Sequence, residues 1–95
     1  MKLSDCPVKV ARKVKKLTQT ELAKAVGCTN TAIANIERGA RLPSLRLVLH
    51  LAPVLDMSFA ALAAESVAYF DSCLEARIES SHRLIQQTKG FLHEE

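Results

Sequence analysis

Thr18-Gln19-Thr20-Glu21-Leu22-Ala23-Lys24-Ala25-Val26-Gly27-Cys28-Thr29-Asn30-Thr31-Ala32-Ile33-Ala34-Asn35-Ile36-Glu37-Arg38-Gly39 is the stretch that organises this chain. It reads as two short helices, over Gln19–Val26 and Asn30–Glu37, joined by a tight turn. Thr18 stands three residues before Glu21, the spacing at which a hydroxyl and a carboxylate each satisfy the other's free amide at a helix start. Thr29 offers a second cap, and Gly27 can take the left-handed conformation that closes the preceding helix. Leu22, Ala23, Val26, Ile33 and Ile36 recur at helical intervals. One side of the pair is therefore core and the other is free for contacts.

The flanks continue the helical pattern. Pro7 suits the first turn of a helix over about 8–15, with Val8, Ala11 and Val14 facing inward. After Gly39, residues 40–43 read as a loop, and Ser44 caps a fourth helix whose inward set is Leu45, Val48, Leu49, Ala52 and Leu55. Pro53 removes a helical hydrogen bond and crowds the Leu49 carbonyl, at about 3 kcal/mol, so this helix is expected to kink or end near 51–52. Ser58 caps the next helical segment, and neither Pro nor Gly occurs until Gly90, which offers a C-cap. Two layouts fit: one helix of about 30 residues, or a short helix and a longer one with a break near 64–66. Val67, Phe70, Leu74, Ile78 and Ile85 form an apolar stripe along it.

Ninety-five residues, 48% hydrophobic, with four aromatics and three glycines, suit one small helical domain. No stretch alternates with the period of a half-buried strand, so the fold class is all-α. No run of about 18 apolar residues and no signal-peptide layout is present, which makes a soluble cytoplasmic protein without a membrane partner the expectation. The net charge of +3 hides an asymmetry. Residues 1–46 hold ten Lys and Arg against three Asp and Glu, giving +7, whereas residues 47–95 hold three against seven, giving −4. A basic half that contains the paired helices suits a phosphate-bearing partner, although an ordinary solvated basic helix has the same composition.

Catalysis and cofactors find little footing. His50, His82 and His93 have no neighbours at metal-ligand spacing, and Cys6, Cys28 and Cys73 are odd in number and far apart. Cys73 and His82 share a predicted helix, but nine residues apart they face opposite rims, so a nucleophilic pair is not expected. No glycine loop of the phosphate-cradling kind occurs. The chain reads as a non-enzyme with no metal and no cofactor.

The motif resembles the helix-turn-helix of Cro and phage-repressor proteins, the XRE family. The matching residues are Leu17-Thr18-Gln19, Glu21-Leu22-Ala23, Val26-Gly27, Thr29, Ile33, Ile36-Glu37-Arg38-Gly39 and Pro43-Ser44-Leu45. Leu51-Ala52, Val54-Leu55 and Ser58 continue the likeness, which covers roughly 8–62. Lys16 and Asp56 depart from it, since the family often has glycine at both places. The resemblance implies a five-helix, lambda-repressor-like DNA-binding domain over 1–64, with an added long C-terminal helix in a dimerisation or partner segment over 65–95. A charged pair between Arg12 and Glu37, tying the first helix to the third, is also implied.

That likeness sets the expected chemistry. The third helix would enter the major groove of double-stranded DNA, with Asn30, Thr31, Ala32 and Asn35 towards the bases. Asparagine amides can pair in bidentate fashion with adenine, and small methyls can touch thymine. Gln19, at the first turn of the second helix, would hold a phosphate together with the free amides there. Thr29, Arg38, Arg41 and Arg46 would meet the DNA backbone. The stripe Val67, Phe70, Leu74, Ile78 and Ile85 would pair with a twin subunit, giving a dimeric repressor on an inverted repeat. The alternatives are that this helix folds back on its own domain, or that it masks a toxin in an antitoxin. A restriction–modification controller and a protein-interaction module without DNA binding are further readings.

Overall fold

The computed structural model describes the backbone of residues 5–92 and the side chains of residues 5–79. Five helices follow one another: α1 (Pro7–Val14), α2 (Gln19–Val26), α3 (Asn30–Glu37), α4 (Leu45–Leu55) and α5 (Phe59–Leu92). No strand occurs among the described residues. Local chemistry accounts for the starts. The Thr18 hydroxyl accepts from the Glu21 amide at 3.0 Å while the Glu21 carboxylate accepts from the Thr18 amide at 2.8 Å. Thr29, Ser44 and Ser58 each accept from the amide three residues on, at 3.0–3.1 Å. Pro7 opens α1, where a missing amide proton costs nothing.

The first four helices all stop in the same way. Lys16, Gly27, Gly39 and Asp56 have φ of 59°, 74°, 76° and 58°. In each case two backbone amides fold back onto the last turn, as Gly39 does to Ile36 (3.1 Å) and Ala40 to Asn35 (2.9 Å). Glycine meets this conformation without strain, whereas a lysine at φ 59° carries a Cβ penalty of about 1 kcal/mol. Lys16→Gly is therefore expected to raise unfolding stability by about 0.5–1 kcal/mol in urea titration. A loss of stability would show that the lysine stem contributes more than its backbone costs.

Val8, Leu22, Ile33, Val48, Leu51 and Leu62 are the largest fully buried side chains, so all five helices share one core. Three sequence expectations need correction. Val14 is 74% exposed, because the inner line of α1 runs through Val8, Ala11 and Arg12, about 120° away around the helix. Leu45 and Leu49 are exposed, and Leu51 takes the inner arc of α4 instead. Pro53 does not end α4, which continues to Leu55. Pro53 and Leu49 are both exposed, so the side of α4 that loses a helical hydrogen bond is the solvent side.

The long C-terminal segment is one helix, and it is itself the fifth helix of the domain. Gly90 lies inside it, not at its cap. It packs against α1 and α4 along Leu62, Ser66, Tyr69 and Cys73, a stripe different from the expected one through Val67, Leu74 and Ile78. Val67, Leu74 and Ile78 lie about 140° around the helix from this inner line and are 53%, 38% and 56% exposed. Phe70 is half-buried, with the Arg77 guanidinium 5.6 Å from its ring centroid. The side chains of Ile85, His82 and His93 lie outside the described residues. Folding back onto the domain and leaving a free apolar face are thus both true of α5. Its inner residues cross the expected boundary at 64 without a break.

Candidate nucleic-acid interface

Helices α2 and α3 pack against each other through Leu22, Ala23, Val26, Ile33 and Ile36, all buried. This turns the opposite side of α3 outward. Asn30 and Thr31 are exposed at its first turn, where free amides also point into solvent. Ala32, also expected towards the bases, is only 8% exposed and lines a groove with Val26 and Cys28. Asn35 is half-buried, and its Oδ1 accepts from the Arg38 guanidinium, leaving the amide donors for other partners. Thr29 is exposed while its hydroxyl caps α3.

Gln19 has a more constrained place than its spacing suggests. Its Nε2 donates to Glu37 Oε1 at 3.0 Å, so one of two donor hydrogens is committed within the protein. The second remains for an acceptor at the α2 N-terminus. Arg38, Arg41 and Arg46 are all exposed. Arg41 and Arg46 border an open groove of about 330 Å³ with Gly27, Cys28, Ala32 and His50. His50 is absent from the sequence-derived set. Its signal was present: it follows Arg46 by four residues, one turn along the same face of α4.

Behind this surface lies the charged pair that the resemblance implied. Arg12 Nε and Nη2 meet Glu37 Oε2 and Oε1 at 2.7 and 3.0 Å, with Arg12 8% and Glu37 6% exposed. Arg12 Nη1 also donates to the Leu17 carbonyl at 2.7 Å. The Glu37 carboxylate holds the guanidinium pKa above its usual value, the pairing outweighing burial. One carboxylate therefore joins α1, the first turn of α2 and the end of α3.

Residues 8–62 match the family model for helix-turn-helix domains, more than half of the chain. The chain belongs to this family. Its members of the XRE type are DNA-binding transcriptional regulators, not enzymes. The ImmF control region 10 kDa protein of Bacillus phage phi105 is 40% identical over 50 residues, 53% of this chain and 56% of that protein. The chain thus spans little more than half of the phage protein's length. The HTH-type transcriptional regulator YazB of Bacillus subtilis is 41% identical over 56 residues, 59% of this chain and 81% of the relative. Among solved structures, the clp gene regulator ClgR from Corynebacterium glutamicum superposes with a TM-score of 0.57 at 25% identity. That match covers 85% of this chain and 84% of the other.

Among the described residues no three His, Cys, Asp or Glu side chains stand close enough to hold a metal. No single helix there is long and apolar enough to cross a membrane.

Tyr69 lies at the back of the interface. Its hydroxyl donates to the Glu37 carbonyl at 3.2 Å, and burial followed by hydrogen bonding with Cys73 pushes its pKa up to about 12. A phenol whose folded pKa exceeds the unfolded value near 10 favours folding while protonated. That contribution is fully present below about pH 10 and is lost as pH rises through about 12. The chain has one tyrosine and no tryptophan, so phenolate absorbance reports this group alone. Its midpoint is expected near 12 in the native protein and near 10 in denaturant; coincident midpoints would place the hydroxyl in water.

Proposed function

We propose that this protein is a dimeric repressor that binds an inverted repeat in double-stranded DNA. Each subunit would lay α3 in a major groove, and the twin copies would meet through Val67, Phe70, Leu74, Ile78 and Ile85 of α5. The observation that carries this reading is the exposure of Asn30 and Thr31 on α3 together with that of Arg38, Arg41 and Arg46. In this reading Asn30, Thr31 and Asn35 address base edges, with adenine favoured by the asparagine amides. Gln19, Thr29 and the arginines address phosphates, joined by His50 from the groove beside Arg46. The names of the relatives, a control-region protein and transcriptional regulators, support the regulatory role. Occupying promoter DNA would be the means of repression.

Selection from random duplexes with the purified chain tests the proposal. Two half-sites about 34 Å apart in inverted orientation are expected. A single half-site bound by a monomer would remove the dimer, and no enrichment would remove DNA reading. Co-purification with a small toxic protein seated on the α5 stripe would favour the antitoxin reading. The roles separate by substitution. Asn35→Ala is expected to abolish preference for the selected duplex while leaving non-specific binding, whereas Gln19→Ala weakens both. Footprints in which both variants match the parent would overturn these roles.

A further inference from the structure

The last turn of α3 is closed by α5. Its backbone folds two amides onto Asn35 and Ile36, but later carbonyls at a helix end have no intrahelical donor. Two side chains of α5 supply them. The Tyr69 hydroxyl donates to the Glu37 carbonyl at 3.2 Å, and Arg77 Nη1 donates to the Gly39 carbonyl at 2.8 Å. Arg77 is aimed from above the Phe70 ring, at 5.6 Å. Between them Cys73 presses on Gly39 so closely that a Cβ there would lie 2.3 Å from its sulfur. Gly39 has no side chain to prevent this approach, and it already needs φ +76°. Three residues on one face of α5, spaced by four, therefore grip the segment that follows Asn35 and includes Arg38.

From this geometry we infer that Tyr69 and Arg77 are positioning residues for DNA recognition, holding the end of α3 so that Asn35 and Arg38 stand where they read and clamp DNA. The inference rests on the DNA-reading role proposed for α3. It gives α5 a second task beside its free apolar face: the helix that would meet a partner also sets the orientation of the reading helix. Neither residue touches DNA in this scheme. A hydrogen bond lost here loosens the turn at Glu37 and Gly39, and contacts that are less ordered must then be ordered on binding.

The test uses the full chain carrying Tyr69→Phe, Arg77→Met or Arg77→Lys, titrated against the duplex the parent selects and a scrambled duplex of equal length. Tyr69→Phe and Arg77→Met are each expected to lower affinity for the selected duplex about five- to tenfold, and for the scrambled one less than about twofold. The log–log salt slope stays that of the parent. Arg77→Lys recovers part of the loss, because an ammonium can still donate to the Gly39 carbonyl. In the DNA-free protein, amide exchange at Arg38, Gly39 and Ala40 speeds up while that of buried Leu22 does not.

Parental affinity and exchange in both variants would overturn the inference. So would a salt slope reduced by about one with equal loss on both duplexes in Arg77→Met, which marks a direct phosphate contact. Exchange accelerated equally at Leu22 would mark general loss of stability and overturn it as well. A parent that selects no duplex would remove the reading role itself, while the exchange measurement still decides whether α5 holds the turn.

Discussion

Glu37→Leu is expected to lose about 3–5 kcal/mol of unfolding stability, a large part of the roughly 5–15 kcal/mol a small domain possesses. The magnitude comes from the charge left behind. Arg12 is 8% exposed, and two of its three hydrogen-bonding nitrogens point at the carboxylate that leucine removes. The third keeps the Leu17 carbonyl, which does not neutralise the charge. Gln19 loses its acceptor as well. Arg12→Met/Glu37→Leu is expected to regain most of the loss, since replacing both members of a buried pair by apolar groups avoids stranding a charge. Urea unfolding of parent, single and double variants measures both values. Full stability in the single variant would show that the pair contributes nothing to the fold.

Raising salt from about 50 to about 200 mM is expected to weaken DNA binding by about 10⁴-fold. If a dimer neutralises about eight phosphates, log affinity falls against log salt with a slope near −7 through counterion release. The charge layout motivates the figure: +7 on residues 1–46, including Arg38, Arg41 and Arg46 exposed around α3. Against this, residues 47–95 sum to −4. Titration of a selected duplex across the salt range reads the slope directly. A flat dependence would remove electrostatics as the source of affinity and leave the basic half as a merely solvated surface. In the proposed scheme stability and binding thus draw on different charges, the buried Arg12 serving the first and the exposed arginines the second.

Much of this molecule is legible in residues a few positions apart. Thr18 with Glu21, Thr29, Ser44 and Ser58 announce helix starts because a cap needs only a side-chain oxygen and an amide three residues on. Gly27, Gly39 and the odd pair Lys16 and Asp56 mark the left-handed stops. The Arg12–Glu37 pair, 25 residues apart, is legible only through resemblance.

Direction of faces is a different matter. Helix α4 carries leucines at 45, 47, 49, 51 and 55, so apolar residues occur almost all round it and periodicity alone cannot choose the inner arc. The packing of α2 and α5 chooses Leu51 over Leu49. On α5 two apolar stripes compete, and the neighbours in space decide that Tyr69 and Cys73 go inside while Val67, Leu74 and Ile78 stay outside. Ala32 has the small side chain of a reading residue but is only 8% exposed; Pro53 has the chemistry of a break, yet α4 continues to Leu55. Helix starts and their caps arise from forces acting within one turn of chain, and the amino-acid order determines them unaided. Which side of each helix is hidden, and which atoms of α5 close the end of α3, depends on groups up to 38 residues distant, so only the assembled fold decides it.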